Sequence, residues 1–84
     1  MDGRVVLINP QGQKVAVCGR RGEYSVFAVN RGPMPEVGDL VSGSFHALGS
    51  SKLVNLTQKR LLRVDILRAG DPVAARTKQW VMND

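Results

Sequence analysis

The chain has 84 residues and carries twelve Lys and Arg against seven Asp and Glu, which gives a net charge of +5. This length allows one domain with one modest core, and a hydrophobic fraction of 43% predicts a folded domain rather than a disordered chain. The excess of cations favours a polyanionic partner, whereas the four aromatic side chains provide few platforms for stacking bases.

Cysteine content and hydropathy bear on the compartment. A single cysteine, Cys18, excludes an intramolecular disulfide, which is typical of a reducing environment. Because Cys18 ends an apolar run, we interpret it as a small buried hydrophobe rather than a reactive thiol. No apolar run approaches the roughly 20 residues that cross a bilayer, and the first residues lack signal-peptide features. We expect a cytoplasmic protein with no membrane partner.

Short β-forming segments separated by turn sequences fill most of the chain. The turn sequences Asn-Pro-Gln-Gly and Gly-Arg-Arg-Gly join the first three segments into a predicted meander. A loop at residues 30–38 follows, in which Pro33 and Pro35 exclude regular structure. The six predicted segments span residues 3–9, 14–18, 24–29, 40–47, 52–56 and 61–67, with a turn at 49–51.

The sixth segment fits two structures. Leu62, Val64 and Ile66 fall on one face of a strand, with charged residues between them. The run from Leu61 to Arg63 also suits a helix. The sequence leaves strand and helix open at this point.

The end of the chain has a helical pattern. Asp71 is a favourable N-cap and Pro72 fits the first turn, which predicts a helix over residues 72–82. We expect Trp80 in this helix to pack on the preceding domain or on a second subunit. The apolar stripe at helical spacing consists of Val73, Ala74, Thr77, Trp80 and Val81.

These elements predict a mainly β fold. Residues 1–70 are expected to form a small OB-like antiparallel barrel of five to six strands. Residues 71–84 form a short C-terminal helical tail that packs on the barrel or on a partner. Closure of the barrel removes exposed strand edges, which a chain of this size has little other means to protect.

Three stretches resemble the cold-shock domain, a family of the OB-fold class. Residues 3–9, Gly-Arg-Val-Val-Leu-Ile-Asn, are similar to its opening strand, and residues 25–29, Ser-Val-Phe-Ala-Val, to its third strand. Residues 37–43 together with 54–57 resemble its Gly-x-x-Val and Asn-Val-Thr ending. The resemblance covers residues 3–57 and implies a barrel that binds single-stranded nucleic acid by stacking bases on its first three strands.

This chain departs from the family at the stacking positions. Leu7 and Ile8 stand where the family has Trp and Phe, the second strand has no aromatic residue, and Val29 replaces a His. Of the stacking residues, Phe27 alone remains. Since each platform contributes roughly 1–3 kcal/mol per base, the loss would leave weak, salt-sensitive binding.

Basic residues supply the candidate binding surfaces. On the first meander they form either a phosphate-binding surface or a solvated face, and the two interpretations are close to balanced, with the high pI slightly favouring binding. A second group consists of Lys59, Arg60, Arg63 and Arg68. It fits a solvated face or the rim of a subunit interface slightly better than it fits a nucleic-acid-binding surface. The candidate nucleic-acid-binding residues are Arg4, Lys14, Arg20, Arg21, Phe27 and Lys52.

No pattern for catalysis, a metal or a cofactor is found in the sequence. His46 has no Cys or carboxylate at ligand spacing and no positioned acid, so we interpret it as a surface residue at a strand end. Asp39 is explained by a side-chain bond to backbone amides of its own turn. We therefore predict no catalytic residue, no metal ligand and no cofactor.

Two functions from different classes remain open. The first is a non-enzymatic module that binds single-stranded RNA or DNA weakly through phosphate contacts, without strong sequence preference. The second is a protein-interaction or assembly module, in which aliphatic residues replace the stacking aromatics and form an exposed apolar face. That face and the tail would mediate contact with a protein or self-association through Leu7, Ile8, Ala16, Val29 and Trp80.

Overall fold

Six strands form one closed antiparallel sheet. The structure is a computed structural model that describes residues 2–45, 47–72, 78–79 and 81–82. The strands are β1 Asp2–Asn9, β2 Lys14–Gly19, β3 Tyr24–Arg31, β4 Leu40–Gly43, β5 Gly49–Asn55 and β6 Arg60–Asp71. Their order around the barrel is β1-β2-β3-β6-β5-β4, and β4 pairs with β1 to close it. The predicted mainly β fold is confirmed.

Two three-stranded meanders build the barrel. The first comprises β1, β2 and β3, the second comprises β4, β5 and β6, and residues 32–39 connect them. The meanders join where β3 pairs with β6 and β1 pairs with β4, both antiparallel. A small closed antiparallel barrel fits an OB-like fold at a coarse level, although that fold has five strands and this barrel has six.

Residues 61–67, for which the sequence left strand and helix open, form a strand. They lie within β6, where Leu62, Val64 and Ile66 are each at most 2% exposed and line the barrel interior. Arg63 lies on the outside. The two-residue period of burial is what a strand with one face in the core requires.

Aliphatic side chains and two phenylalanines fill the barrel. Phe27 and Phe45 pack with their ring centroids 6.4 Å apart. The other buried members of this core are Val5, Val15, Val17, Val29, Val41, Leu53, Leu62, Val64 and Ile66. Alternating inward residues from all six strands and Phe45 of the connection after β4 therefore contribute to one apolar interior.

Several predicted boundaries differ from the structure. β4 ends at Gly43 rather than at residue 47, and residues 49–51 begin β5 instead of forming a turn. In the β1–β2 turn, the positive φ of 54° lies at Gln13 and not at the glycine before it. Asn9 contributes to that turn, since its side-chain oxygen accepts a bond of 3.2 Å from the Gln11 amide.

The predicted C-terminal helix lies largely outside the described residues. Of the predicted range 72–82, the structure describes Pro72, residues 78–79 and residues 81–82, and the last four have helical backbone. Asp71, the predicted N-cap, is the last residue of β6 and is buried. Trp80 and the segment 73–77 fall outside the described residues, so the helix and the division at residue 70 stay predictions.

A buried polar network closes one end of the barrel. The carboxylate oxygen Oδ2 of Asp39 accepts bonds from the Glu36 amide at 2.9 Å, from Asn55 Nδ2 at 2.8 Å and from Gln58 Nε2 at 2.9 Å. The predicted bond to the turn backbone is thus confirmed. These bonds, Asn55 first, lower the pKa of Asp39, against the opposing effect of burial.

Candidate nucleic-acid interface

Three cations lie in one row across neighbouring strands on the outside of the barrel. Arg31 at the end of β3 is the register partner of Arg63 in β6, and Arg63 is also the partner of Lys52 in β5. All three side chains are exposed. Because adjacent strands lie about 4.8 Å apart, their three backbone positions fall within roughly 10 Å. We call Arg31, Arg63 and Lys52 the cation row.

Local backbone features bring Arg31 to this row. The β3–β6 register shifts between Val29 and Arg31, and this shift places Arg31 at the end of β3 opposite Arg63 near the start of β6. The next residue, Gly32, lies against β6 with a φ of 106°. A Cβ at this position would lie 2.8 Å from the Leu61 carbonyl oxygen. A residue with a side chain would push β3 away from β6 here, so Gly32 permits the close approach.

An open groove runs beside the cation row. It has a volume of about 830 Å³ and its lining includes all three members of the row. Asn30, Ser50 and Ser51 add amide and hydroxyl groups to the same surface. Side chains of these types donate hydrogen bonds to phosphate and sugar oxygens. The Ser50 and Ser51 hydroxyls already donate within the chain, to Asp65 at 3.3 Å and to the Ser44 carbonyl oxygen at 3.2 Å. The groove therefore combines positive charge with the amide of Asn30 and with hydroxyls that would have to exchange partners to reach a ligand.

The cation row is not neutralised within the described part of the chain, where none of its members has an ion pair with a carboxylate. The nearest acid along β6 is Asp65, which accepts a bond of 3.3 Å from the Ser50 hydroxyl. Like charges directly opposite each other across strands are destabilising. An anion bound at the row would remove this cost.

The residues predicted as the binding site occupy separate parts of the surface. Arg20 and Arg21 are exposed at the β2–β3 turn, and Arg4 lines a shallow depression with Arg20. Lys14 begins β2, roughly 20 Å along the strand from Arg20. Lys52 lies on β5, across the barrel from β2, and belongs to the cation row. The predicted set does not form one surface.

Arg4 has a structural contact that the sequence did not reveal. Its Nη1 donates a bond of 2.7 Å to the Gly38 carbonyl oxygen and so ties β1 to the loop before β4. That loop is already held by two backbone bonds with Val5, of 2.8 Å each. The side chain of Arg4 therefore serves the barrel closure, and its guanidinium is only partly available to a phosphate.

Phe27 is not a stacking residue in this structure. Its side chain is fully buried in the barrel interior against Phe45. The prediction failed because the resemblance located Phe27 on the right strand but could not say which face of β3 it occupies. A base cannot reach the ring while the barrel is closed.

The predicted exposed aliphatic face is not formed. Val29 is buried in the interior and Ile8 packs against the same core. Leu7 and Ala16 point outward, but together with Val26 and Leu67 they contact Val81 of the C-terminal segment. Val81 thus covers the part of this outer face that Leu7, Ala16 and Val26 form.

The covering segment is held by two kinds of contact. Val81 is fully buried, and its carbonyl oxygen accepts a bond of 2.8 Å from Asn9 Nδ2. Asn9 is itself buried at the end of β1. Because both contacts lie on β1–β3, a ligand cannot stack on this face without displacing Val81.

Val81→Ala is expected to lower the free energy of unfolding by about 1–2 kcal/mol, because it removes buried methyl groups from this second apolar cluster. Met82→Ala is the matched control, since Met82 is 51% exposed and its truncation should change stability by less than about 0.5 kcal/mol. Urea denaturation of the three proteins checks this. Equal effects of the two substitutions would contradict the observed packing.

The second basic group predicted from the sequence is divided by the structure. Lys59 and Arg60 lie at the β5–β6 turn, Arg63 belongs to the cation row and Arg68 is half-buried. Arg31 was missed because its neighbours Gly32 and Pro33 have the composition of a loop. The alternation in β6 places Arg63 outside, but pairing Arg31 with Arg63 requires the β3–β6 register, which the sequence does not contain.

The described residues provide neither a metal site nor a membrane-spanning helix. Among the described residues, no group of three or more His, Cys, Asp or Glu is placed to hold a metal ion, and His46 lies outside them. Cys18 is half-buried, with its thiol 3.5 Å from the Gly19 carbonyl oxygen. No helix in the described ranges has the length and apolar character needed to cross a bilayer.

Comparison with protein-family models, with curated proteins and with solved structures finds no match to this chain. The assignment of the site therefore rests on the fold and on the geometry of its residues.

Proposed function

We propose that this protein is a non-enzymatic cytoplasmic module that binds the phosphate backbone of single-stranded nucleic acid at the cation row. The observation that carries the proposal is the alignment of Arg31, Arg63 and Lys52 across three strands beside an open groove. The OB-like barrel and the net charge of +5 support it.

The proposed mode differs from that of the cold-shock domain, which the sequence resembles. Stacking on β1–β3 is not part of it, because Phe27 is buried and Val81 covers Leu7 and Ala16. Because this mode includes no stacking on β1–β3, phosphate contacts supply most of the affinity. Such binding is weak at physiological salt and shows little sequence preference.

Salt dependence provides the test. Three phosphate contacts to a single strand predict a slope of about −2 when the logarithm of the association constant is plotted against that of the salt concentration. Arg63→Gln removes one contact and is expected to make the slope shallower by about 0.7. Fluorescence anisotropy with a labelled oligonucleotide across a salt series measures both slopes.

The double substitution Arg20→Gln and Arg21→Gln is the control, because it removes even more charge at the exposed β2–β3 turn, away from the groove. It should leave the slope near that of the wild type. Arg63→Gln should not reduce stability, since it removes two like-charge contacts. The proposal would be rejected if the turn variant lost more oligonucleotide affinity than Arg63→Gln, or if the wild type did not bind the oligonucleotide at low salt.

A further inference from the structure

An exposed apolar pair lies next to the cation row on the same strands. Val54 of β5 is the register partner of Leu61 of β6, and both point outward, with 39% and 59% of their surface exposed. The adjacent outward pair is Lys52 and Arg63. The outer surface of β5 and β6 therefore has an apolar pair directly beside a charged pair.

The spacing of the two pairs suits one nucleotide. Outward residues on a strand repeat every two positions, so the apolar pair lies about 7 Å from the charged pair along the strands. A nucleotide likewise has a charged phosphate at one end and a flat, largely apolar base face at the other. With the phosphate at Lys52 and Arg63, the base reaches the surface of Val54 and Leu61.

We propose that bases of the bound strand lie against Val54 and Leu61, which makes this pair an aliphatic base platform. The proposal rests on the proposed function. It names β5–β6 as the base-contacting face in place of β1–β3, where Val81 packs on the outward residues Leu7 and Ala16. The side chains of the platform have no hydrogen-bonding groups, so it contacts every base without reading its edge.

The charges beside the platform select this occupant over a neutral apolar partner. Lys52 and Arg63 flank it on one side, and Lys59 and Arg60 are exposed at the adjoining β5–β6 turn. Any ligand that covers Val54 and Leu61 must therefore present anionic groups at its border. A nucleic-acid strand does so at each nucleotide.

Comparing a base-bearing oligonucleotide with an abasic one isolates the contribution of the platform to the binding affinity. A short oligodeoxythymidine and an abasic oligonucleotide of the same length carry the same phosphates. The wild type is expected to bind the base-bearing strand about five-fold more tightly, as burial of a modest apolar area would give. Leu61→Ser should reduce that ratio to near one and leave the affinity for the abasic strand unchanged.

Leu48→Ser is the matched control, because Leu48 is 68% exposed and precedes β5, away from the platform. It should keep the five-fold ratio. Equal binding of both strands by the wild type would overturn the platform but leave phosphate binding in place. If Leu61→Ser lowered the affinity for the base-bearing and the abasic strand equally, the platform would also be overturned. If the wild type binds neither strand and binds an acidic peptide instead, both the platform and the proposed function are wrong.

Discussion

Asp39→Ala is expected to lower the free energy of unfolding by about 3 kcal/mol. The substitution leaves the side-chain amides of Asn55 and Gln58 without their shared acceptor. Asn55 is fully buried, so water cannot replace the lost bond without opening the barrel end. Leaving a buried donor unsatisfied costs about 1–3 kcal/mol, and bonds to a charged group lie at the upper end. Chemical denaturation measures the loss.

Asp39→Asn is the matched control because it keeps the shape and one acceptor oxygen while it removes the charge. It should cost less than Asp39→Ala. Equal stability of the wild type and Asp39→Ala would contradict the proposed role of the network in closing the barrel end.

The same network predicts a dependence of stability on pH. The pKa of Asp39 in the folded protein lies below its ordinary value of 3.8. The stabilisation by its carboxylate is therefore fully present above that ordinary value and is lost as pH falls through the folded pKa. The difference in unfolding free energy between wild type and Asp39→Asn should be constant near neutral pH and shrink below about pH 4. A difference that grows on acidification would contradict the lowered pKa.

Phe27→Ala is expected to lower the free energy of unfolding by about 3–5 kcal/mol, because it leaves a cavity at a fully buried site in contact with Phe45. A loss of stability of this size is a large fraction of the total for a small domain, so the variant is unsuitable for binding measurements. Thermal or urea unfolding gives the magnitude.

Phe27→Leu separates packing from stacking. It retains most of the apolar volume and should keep enough stability for binding measurements. Because the ring is enclosed, its oligonucleotide affinity is expected to equal that of the wild type. A folded Phe27→Leu with strongly weakened binding would show that Phe27 is a stacking residue after all.

The strands were predictable because short runs of β-forming residues are separated by turn sequences, and in β6 apolar and charged residues also alternate. β6 is the clearest case, since the period of Leu62, Val64 and Ile66 decides in favour of a strand once a barrel is available to cover one face. Boundaries such as the end of β4 at Gly43 were less predictable. They depend on where the partner strand stops and on the long-range register, neither of which is a local property.

The site was harder to predict for the same reason. Arg31, Arg63 and Lys52 are far apart in sequence and become neighbours through the pairing of β3, β6 and β5. The sequence identified the basic character of the chain and two of the relevant residues in different groups. It could not show that Val81 returns to the outer face of the first meander, because one apolar residue in a tail has many possible contacts.

A chemical-shift titration with a short single-stranded oligonucleotide at low salt tests most directly whether binding occurs at the cation row. We predict that the largest amide shifts occur at residues 30–31, 50–54 and 61–64, and that they diminish as salt is raised. The amide signals of residues 19–22 and of Leu7, Ala16 and Val26 should not shift. Shifts centred on those residues, or the absence of any shift, would contradict the account.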